Sequence, residues 1–247
     1  MGKQYWKPGN MLYPVPAVMV SCQRKGEKPN IITVAWAGTI CSSPAMLSIS
    51  VRKSRYSYDI IKETGEFVVN LVTKDLVFAT DYCGVKSGKD VDKFKEMKLT
   101  PLPSREIHAP GISESPVNLE CRVTEIKELG SHDLFLAEIV SVTVDDRHMD
   151  ENGKFQLNKL GLTAYSHGEY FELGEKLGSF GYSVRKKPVG KKAGKSSERY
   201  SGKKSEKIGT IPVKSYEKPT EKSKDKKIGK PEKTIDKKIR GNRRKKS

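Results

Sequence analysis

The sequence predicts a mainly β fold with a few short helices, arranged as an antiparallel barrel or sandwich. The apolar runs are short and rich in β-branched residues, and turn-forming residues separate them. The clearest strand alternates Val117, Leu119, Cys121 and Val123 with polar residues, which indicates one buried face and one wet face. The predicted strands are residues 17–22, 31–37, 46–51, 67–71, 117–126 and 134–144.

Three short helices are predicted between the strands, over residues 57–64, 73–82 and 92–97. Ser54 or Ser57 is expected to cap the start of the first helix with its hydroxyl. Gly65 follows its last turn, where a left-handed residue is the usual terminator.

The net charge of +17 is distributed very unevenly along the chain. Residues 185–247 hold 25 basic and 7 acidic residues, a net charge of +18, whereas the remainder holds 22 and 23, a net charge of −1. Apolar residues in this Lys-rich tail are isolated, so it cannot bury enough apolar surface to offset its ordering entropy. We therefore predict one nearly neutral folded domain, residues 9–184, followed by a disordered tail.

Several functional classes are disfavoured by missing patterns. The four cysteines are widely spaced, with no C-x-x-C pair, which favours reduced thiols in a cytoplasmic protein and gives no metal site. Neither G-x-G-x-x-G nor a Walker A motif occurs, so a separate dinucleotide-binding domain is not expected. No run approaches the roughly 20 apolar residues of a membrane span, and Pro14 and Pro16 interrupt the N-terminal apolar stretch, which argues against a signal peptide.

A phosphate site is predicted where a strand passes through a basic loop into a helix. Arg52, Lys53 and Arg55 supply positive charge, and Ser54 and Ser57 supply hydroxyls. The N-terminus of the following helix adds free N–H groups and the positive end of its dipole, and an arginine can hold a phosphate through two parallel hydrogen bonds. The residues alone leave open an ordinary exposed loop followed by a capped helix.

Five segments of the chain occur in an order that resembles flavoredoxin and related flavin reductase-like proteins. They are NIITVAWAGTICSSPAMLSISVRKSRYSYDIIKETGEFVVNL, ATDYCGVKSGKDVDKF, SPVNLECRV, GSHDLFLAEI and YSHGEYFELG. The resemblance spans residues 9–184 and implies an FMN-binding split β-barrel that acts as an oxidoreductase or electron-transfer protein. It also implies a homodimer that completes the flavin site at its two-fold interface. Electrons would come from NAD(P)H or a protein donor and pass to flavin, ferric or protein acceptors.

The same resemblance assigns residues to the cofactor. Backbone amides near Trp36 would lie along the flavin ring, the basic loop would hold the phosphate, and two helical segments would close over the ribityl chain or ring. Trp36 as a core aromatic and Lys93 as a solvated helix residue remain open alternatives. The assigned residues are Thr33, Val34, Ala35, Trp36, Ser42, Ser43, Ser50, Val51, Arg52, Arg55, Tyr56, Ser57, Asp81, Tyr82, Cys83, Lys93 and Phe94.

Two histidines are candidates for catalysis. His132 lies in Gly-Ser-His-Asp, which resembles the Gly-Asp-His turn of flavin reductases, and His167 lies in the Tyr-Ser-His-Gly-Glu-Tyr motif of this subgroup. Either could hydrogen-bond flavin or substrate near neutral pH, because imidazole titrates there. A structural role for each histidine stays open.

A second function of a different class is a flavin-binding scaffold whose basic tail binds nucleic acid or another acidic surface. Its lysines could neutralise several phosphates, which would make binding steeply dependent on salt concentration. The tail has only two aromatic residues, Tyr200 and Tyr216, so stacking on bases is poorly supplied.

Overall fold

A computed structural model of the chain describes residues 2–185 and confirms a mainly β fold with few short helices. The predicted disorder of the tail, and its predicted binding to acidic partners, fall on residues outside this range. The strands are β1 (Val15–Pro16), β2 (Val18–Cys22), β3 (Asn30–Val34), β4 (Ala37–Ser42), β5 (Ala45–Val51), β6 (Glu66–Leu71), β7 (Pro101–Leu102), β8 (Gly111–Ile112), β9 (Val117–Glu128), β10 (Asp133–Val144), β11 (Thr163–Ser166) and β12 (Glu169–Glu172). The helices are α1 (Tyr56–Thr64), α2 (Val77–Val85) and α3 (Lys93–Glu96), with 3₁₀ turns at Lys74–Leu76, Asp146–His148, Leu157–Lys159 and Tyr182–Val184.

Seven strands form one antiparallel sheet in the order β3-β2-β6-β9-β10-β5-β4. The sheet curls until β3 and β5 contact each other, although four strands separate them in the sheet. Ile32 of β3 and Ile49 of β5 consequently share one apolar core. The Ser50 N–H donates to the Trp36 carbonyl at 2.8 Å and so extends the β4–β5 pairing by one residue. The result is the predicted split barrel.

Helix α1 closes one end of the barrel core. Ser57 and Tyr58 lie one helical turn before Ile60 and Ile61, and all four are buried, so a single face of the helix packs inward. The Tyr58 ring meets the buried Phe135 ring edge-on, with centroids 5.6 Å apart. Gly65 ends the helix with φ of 69°, and its N–H donates to the Ile61 carbonyl, as predicted.

The predicted cap of α1 was wrong. Arg55 occupies the N-cap position, and its side chain makes no capping hydrogen bond. The Ser57 hydroxyl instead accepts a hydrogen bond from the Asn30 side-chain amide at 2.7 Å inside the protein. The first turn of α1 is therefore not capped by either predicted serine.

Two other predicted element boundaries differ from the structure, and close packing explains the one at Gly84. The predicted strand 31–37 stops at Val34, and a strand that was not predicted, β4, begins at Ala37. The predicted helix 73–82 begins as a 3₁₀ turn and continues as α2 through Gly84. A Cβ at Gly84 would lie 3.2 Å from the Thr33 Cβ, so this glycine lets α2 pack closely on β3 rather than ending the helix.

The outer face of the sheet is covered by residues 99–115, which are held largely by buried side chains of β6 and β9. The Asn70 side chain donates to the Met19 carbonyl at 2.9 Å, and its Oδ1 accepts the Ile112 N–H at 2.9 Å. The buried Glu120 carboxylate accepts the N–H groups of Arg105 and Glu106 at 2.9 and 2.7 Å. These side chains thereby give the backbone N–H groups of the segment hydrogen-bond partners.

A smaller sheet, β1-β11-β12, lies beside the start of α2. The Lys74 N–H donates to the Gly161 carbonyl at 3.0 Å, which joins the 3₁₀ turn before α2 to the segment that leads into β11. No helix within residues 2–185 has the length and apolar character needed to cross a membrane.

Candidate functional site

A cavity of about 180 Å³ opens where β3, the start of α1 and the turn after α2 meet. Most of its lining residues carry hydrogen-bond donors, and no carboxylate is among them. This donor set suits an anion such as a phosphate. The lining residues are Asn30, Ile32, Arg52, Ser54, Arg55, Tyr56, Ser57, Cys83, Lys86, Ser87, Gly88 and Lys93.

Lys93 is a buried cation at this cavity rather than a solvated helix residue, since only 3% of it is exposed. Its Nζ donates to the Ile31 carbonyl at 2.6 Å and to the Cys83 carbonyl at 2.7 Å. Burial away from water lowers the pKa of Lys93 to about 8. An ammonium group has three N–H donors, so one remains for a ligand.

The turn after α2 packs tightly against the same cavity. A Cβ on Gly88 would lie 2.1 Å from the Asn30 Oδ1 and 2.8 Å from the Tyr56 Cδ1, so any larger residue would displace its neighbours. This close contact leaves the Asn30 side chain little room to move away from the Ser57 hydroxyl, to which it donates a hydrogen bond. Neither Asn30 nor Gly88 was predicted as a site residue. For Asn30 the sequence did hold one signal, a polar residue at the first position of a mostly apolar strand.

Two further cavities extend from the first along the backbone of residues 32–36. We call the first cavity, of about 180 Å³, the anion cavity. A second cavity, of about 120 Å³, shares Ile32, Arg52 and Arg55 with it. The next, of about 280 Å³, shares Thr33, Ala35 and Trp36 with the second. We call the three together the groove. One end of the groove is lined by arginine and lysine side chains, which we call the cationic end. The middle runs along the backbone at the end of β3, and the far end is lined mostly by aromatic and small residues.

The far end of the groove is built from aromatic side chains. The Tyr13 ring lies 6.1 Å from the Trp36 ring and 6.3 Å from the Tyr165 ring, and the Tyr165 ring lies 5.5 Å from that of Tyr170, centroid to centroid. The Tyr170 hydroxyl donates to the Asp81 carboxylate at 3.3 Å. Burial and the neighbouring carboxylate raise the pKa of Tyr170 to about 12, so its phenol stays protonated at neutral pH.

The two candidate histidines lie in different places. His132 is half-buried and lines the second cavity with Arg52 and Arg55, and its Nδ1 is 2.8 Å from the Ser131 hydroxyl. Desolvation, assisted by the two arginines, lowers the pKa of His132. His167 is exposed at the turn between β11 and β12, with φ of 52°, and its ring packs on Tyr13. Its side chain lines none of the three cavities.

Four of the residues assigned to the cofactor lie outside the groove. Ser42 pairs with Ala45 at the far end of the β4–β5 hairpin, and Ser43 follows it, whereas Trp36 precedes the opposite end of that hairpin. Phe94 is a core residue packed in the cluster under α2, and Tyr82 is half-buried on that helix without lining a groove cavity. The remaining assigned residues line the groove: Thr33, Val34, Ala35, Trp36, Ser50, Val51, Arg52, Arg55, Tyr56, Ser57, Asp81, Cys83 and Lys93.

Three tyrosines of the aromatic end, Tyr13, Tyr165 and Tyr170, were missed by the sequence analysis. Their only signal was the tyrosine-rich segment around His167. The part of the chain that the structure describes contains no cluster of three or more His, Cys, Asp or Glu residues suited to a metal ion.

The chain is similar to known proteins over most of its described residues. Residues 10–174 match the family described as the flavin reductase like domain. An uncharacterised protein of Archaeoglobus fulgidus is 38% identical over 145 residues, which cover 59% of this chain and 81% of that protein. The structure of flavoredoxin from Desulfovibrio vulgaris (Miyazaki F) is 31% identical with a TM-score of 0.69, and that of flavoredoxin from Methanosarcina acetivorans is 30% identical with a TM-score of 0.66. Each covers 74% of this chain and 100% of its own. The residues matched by the family include all those that line the groove.

Proposed function

Since the chain belongs to the flavin reductase-like family, we propose that it binds FMN without a covalent link and acts as an oxidoreductase or electron-transfer protein. The observation that carries this proposal is the polarity of the groove. The anion cavity, which is lined by cations, continues along the end of β3 into the cavity that is lined by aromatic rings. FMN has the same order of parts, with a phosphate at one end and a planar isoalloxazine ring at the other.

The donor set of the first cavity fits a phosphate dianion. Arg52 and Arg55 supply charge from the loop, Lys93 supplies a buried ammonium, and Ser57 lies in the first turn of the nine-residue helix α1. Opposite charge in a partly desolvated site strengthens each hydrogen bond to the phosphate. These residues would bind the phosphate and set the position of the rest of the cofactor.

The structure beyond this cavity favours FMN over FAD. The turn at Gly88 packs on Asn30 and separates the anion cavity from a neighbouring one. That neighbour is lined by three carboxylates, Glu27, Asp90 and Asp92, together with two lysines. A second phosphate group would meet both a tight turn and net negative charge there.

The isoalloxazine ring would lie along residues 33–36, near Trp36 and the tyrosines. Bound FMN supplies electron and hydride transfer, while the protein orients it and tunes its electronics through hydrogen bonds at the ring rim. His132, whose pKa is lowered, would act as a neutral hydrogen-bonding partner, and Tyr170 would remain a protonated donor at the groove's edge.

The electron donor is proposed to be NAD(P)H or a redox protein, and the acceptors flavin, ferric complexes or a protein. Because the sequence carries no glycine-rich dinucleotide motif, a nicotinamide would have to stack within the aromatic cavity beside the flavin ring. A protein donor would need only access to the edge of the ring.

A homodimer is also proposed. Large apolar side chains near both ends of the described range are strongly exposed in the single chain, including Tyr5 at 105%, Trp6 at 77%, Leu177 at 95% and Phe180 at 106%. Apolar surface of this kind favours a protein partner, and a second copy is the commonest one. Light scattering that gives the mass of one chain would contradict this proposal. A cytoplasmic location is proposed from the four free thiols.

The test is titration of purified protein with FMN, FAD and riboflavin, followed by anaerobic mixing with NADH or NADPH while the flavin absorbance is recorded. We expect yellow protein that prefers FMN. Arg55→Gln should weaken FMN binding about tenfold or more, because a hydrogen bond to a charged group contributes about 1.5–3 kcal/mol. Arg122→Gln, a change outside the groove, should keep the wild-type affinity. Colourless protein that takes up no FMN would contradict the proposal.

A further inference from the structure

Asp133 is a buried carboxylate with an incomplete set of partners, and it directly follows His132. It is 0% exposed and is the first residue of β10. Its Oδ2 accepts the Tyr58 hydroxyl at 2.6 Å and lies 3.5 Å from the Lys53 Nζ. Its Oδ1 is buried without a hydrogen-bond partner among the described residues. An unpaired buried oxygen costs stability, whereas the hydrogen bond from Tyr58, the charge of Lys53 and the Leu129 backbone lower the pKa of this carboxyl and so favour its charged form.

Asp133 contacts residues before, within and after the basic loop, residues 52–55, that lines the anion cavity. Asp133 is paired across the sheet with Val51, the last residue of β5, and the loop begins at the next residue. Lys53 lies within the loop, and Tyr58 lies in the first turn of the helix that follows it. One carboxylate therefore contacts both the loop and the helix into which it leads.

The three cations of the loop lie on two different sides of it. Arg52 and Arg55 line the groove. Lys53 does not line it. Its Nζ lies 3.1 Å from the Glu128 carboxylate and 3.5 Å from that of Asp133. Lys53 was predicted as a source of charge for the phosphate. The structure instead turns it toward two carboxylates on another side of the loop.

We propose that Asp133 is a positioning residue for phosphate recognition. It holds Lys53 and Tyr58 so that Arg52 and Arg55 face the groove. Buried polar groups are retained in some proteins because they specify one conformation, and Asp133 contacts a loop that carries three cations within four residues. The inference rests on the proposed function, because it assumes that the ligand's phosphate occupies the cationic cavity.

The direction in which one substitution changes FMN affinity distinguishes a positioning role from a purely electrostatic one. Asp133→Asn removes a negative charge near a site for a dianion. If only the local field mattered, FMN would bind more tightly to this variant. If Asp133 orders the loop, FMN would bind less tightly. Riboflavin has the same ring but lacks the phosphate, so its affinity should not change.

The experiment measures the dissociation constants of FMN and riboflavin for the full-length wild type, Asp133→Asn and Glu128→Gln. Glu128 is a matched control, because it also pairs with Lys53 but its side chain is 72% exposed. We expect Asp133→Asn to weaken FMN binding about tenfold, equivalent to about 1.4 kcal/mol, with riboflavin binding unchanged. Glu128→Gln should leave both affinities unchanged.

Unchanged or tighter FMN binding by Asp133→Asn would overturn the inference. So would an equal loss of both ligands, since that would mark a general effect on the fold. If this variant does not fold, Tyr58→Phe tests the same link, because it keeps the carboxylate and removes its 2.6 Å partner. A selective loss of FMN affinity in Tyr58→Phe supports the inference, and an unchanged affinity refutes it. A wild type that binds neither ligand would instead refute the proposed function, and with it the premise of this inference.

Discussion

The buried ammonium of Lys93 should make FMN affinity depend on pH in a range where the phosphate itself does not titrate. In the ligand-free protein, burial lowers the pKa of Lys93 to about 8. The second ionisation of a phosphate ester lies near pH 6, so above pH 7 the phosphate is a dianion. A dianion beside Lys93 favours its charged form and raises its pKa. Binding above pH 8 must therefore take up a proton.

The size of the effect follows from the fraction of ligand-free protein that carries the charge. At pH 7 this fraction is about nine-tenths, and at pH 9 it is about one-tenth, for a pKa of about 8. If the bound form stays protonated at pH 9, the dissociation constant of FMN should be about tenfold larger there than at pH 7. This ratio equals about 1.4 kcal/mol of binding free energy.

The same pKa shift affects folding in the absence of ligand. The folded pKa of about 8 lies below the ordinary value of 10.5. Between these values the unfolded chain holds a proton that the folded chain has lost, so stability rises with pH. The rise due to Lys93 should reach about 3 kcal/mol by pH 10.5, from 1.36 kcal/mol per pKa unit. Lys93→Met should lack this rise.

The assay is titration with FMN and with riboflavin at pH 7, 8 and 9, using the wild type, Lys93→Met and Lys95→Met. Lys95 lies on the same helix and is exposed, so its variant should behave as the wild type. Lys93→Met should bind FMN more weakly at pH 7 and show no tenfold change by pH 9. A wild type whose FMN affinity is the same at pH 7 and 9 would refute the reasoning. An equal pH dependence for riboflavin, or for Lys93→Met, would also refute it.

Three further substitutions test other parts of the structure. Gly88→Ala should weaken FMN binding about tenfold more than riboflavin binding, because its Cβ would lie 2.1 Å from the Asn30 Oδ1, whereas Gly174→Ala, with nothing within 4 Å, should bind as the wild type. Gly65→Ala, at φ of 69°, should lower the free energy of unfolding in urea by about 1 kcal/mol, and an unchanged midpoint would contradict this. Asn70→Ala should lower it by about 1–3 kcal/mol, because the Ile112 N–H would lose its partner; a smaller loss would mean that water replaces the amide.

The cationic end of the groove could be predicted from sequence because its main residues are contiguous. Arg52, Arg55 and Ser57 follow one strand and open one helix, so the chemistry of a phosphate site is visible in a few residues. Lys93 joined them through the family resemblance. Its burial depends on carbonyl groups of β3 and α2, which no local pattern reveals.

The aromatic end could not be predicted because its residues are far apart in the chain. Tyr13 precedes the first strand, whereas Tyr165 and Tyr170 belong to the last hairpin, and only the folded chain brings their rings together. Nearness in sequence also misled the prediction. Ser42 and Ser43 follow residues 33–36 closely in sequence, but the extended strand β4 places them at the other end of its hairpin, outside the groove.

The mainly β fold class was predictable from short apolar runs separated by turns, but the wet face predicted for β9 was wrong in its first half. Asn118 and Glu120 lie on that face and are buried, because residues 99–115 cover it, and only from Arg122 onward are the polar residues of this face exposed. The boundaries that differed depend on contacts between elements. Thr33 against Gly84 is one such contact, because a glycine that looks like a helix terminator in sequence is a packing position in the structure.

The attachment of residues 99–115 to the sheet by side chains has a consequence for how this region opens. Two carboxylate oxygens of Glu120 and one amide oxygen of Asn70 protect the N–H groups of Arg105, Glu106 and Ile112. Because those side chains belong to central strands, the three amides cannot be released singly by fraying of a strand edge. Their hydrogen exchange should follow the detachment of the whole segment from β6 and β9. These three amides would thus report, as a group, whether the outer face of the sheet stays covered.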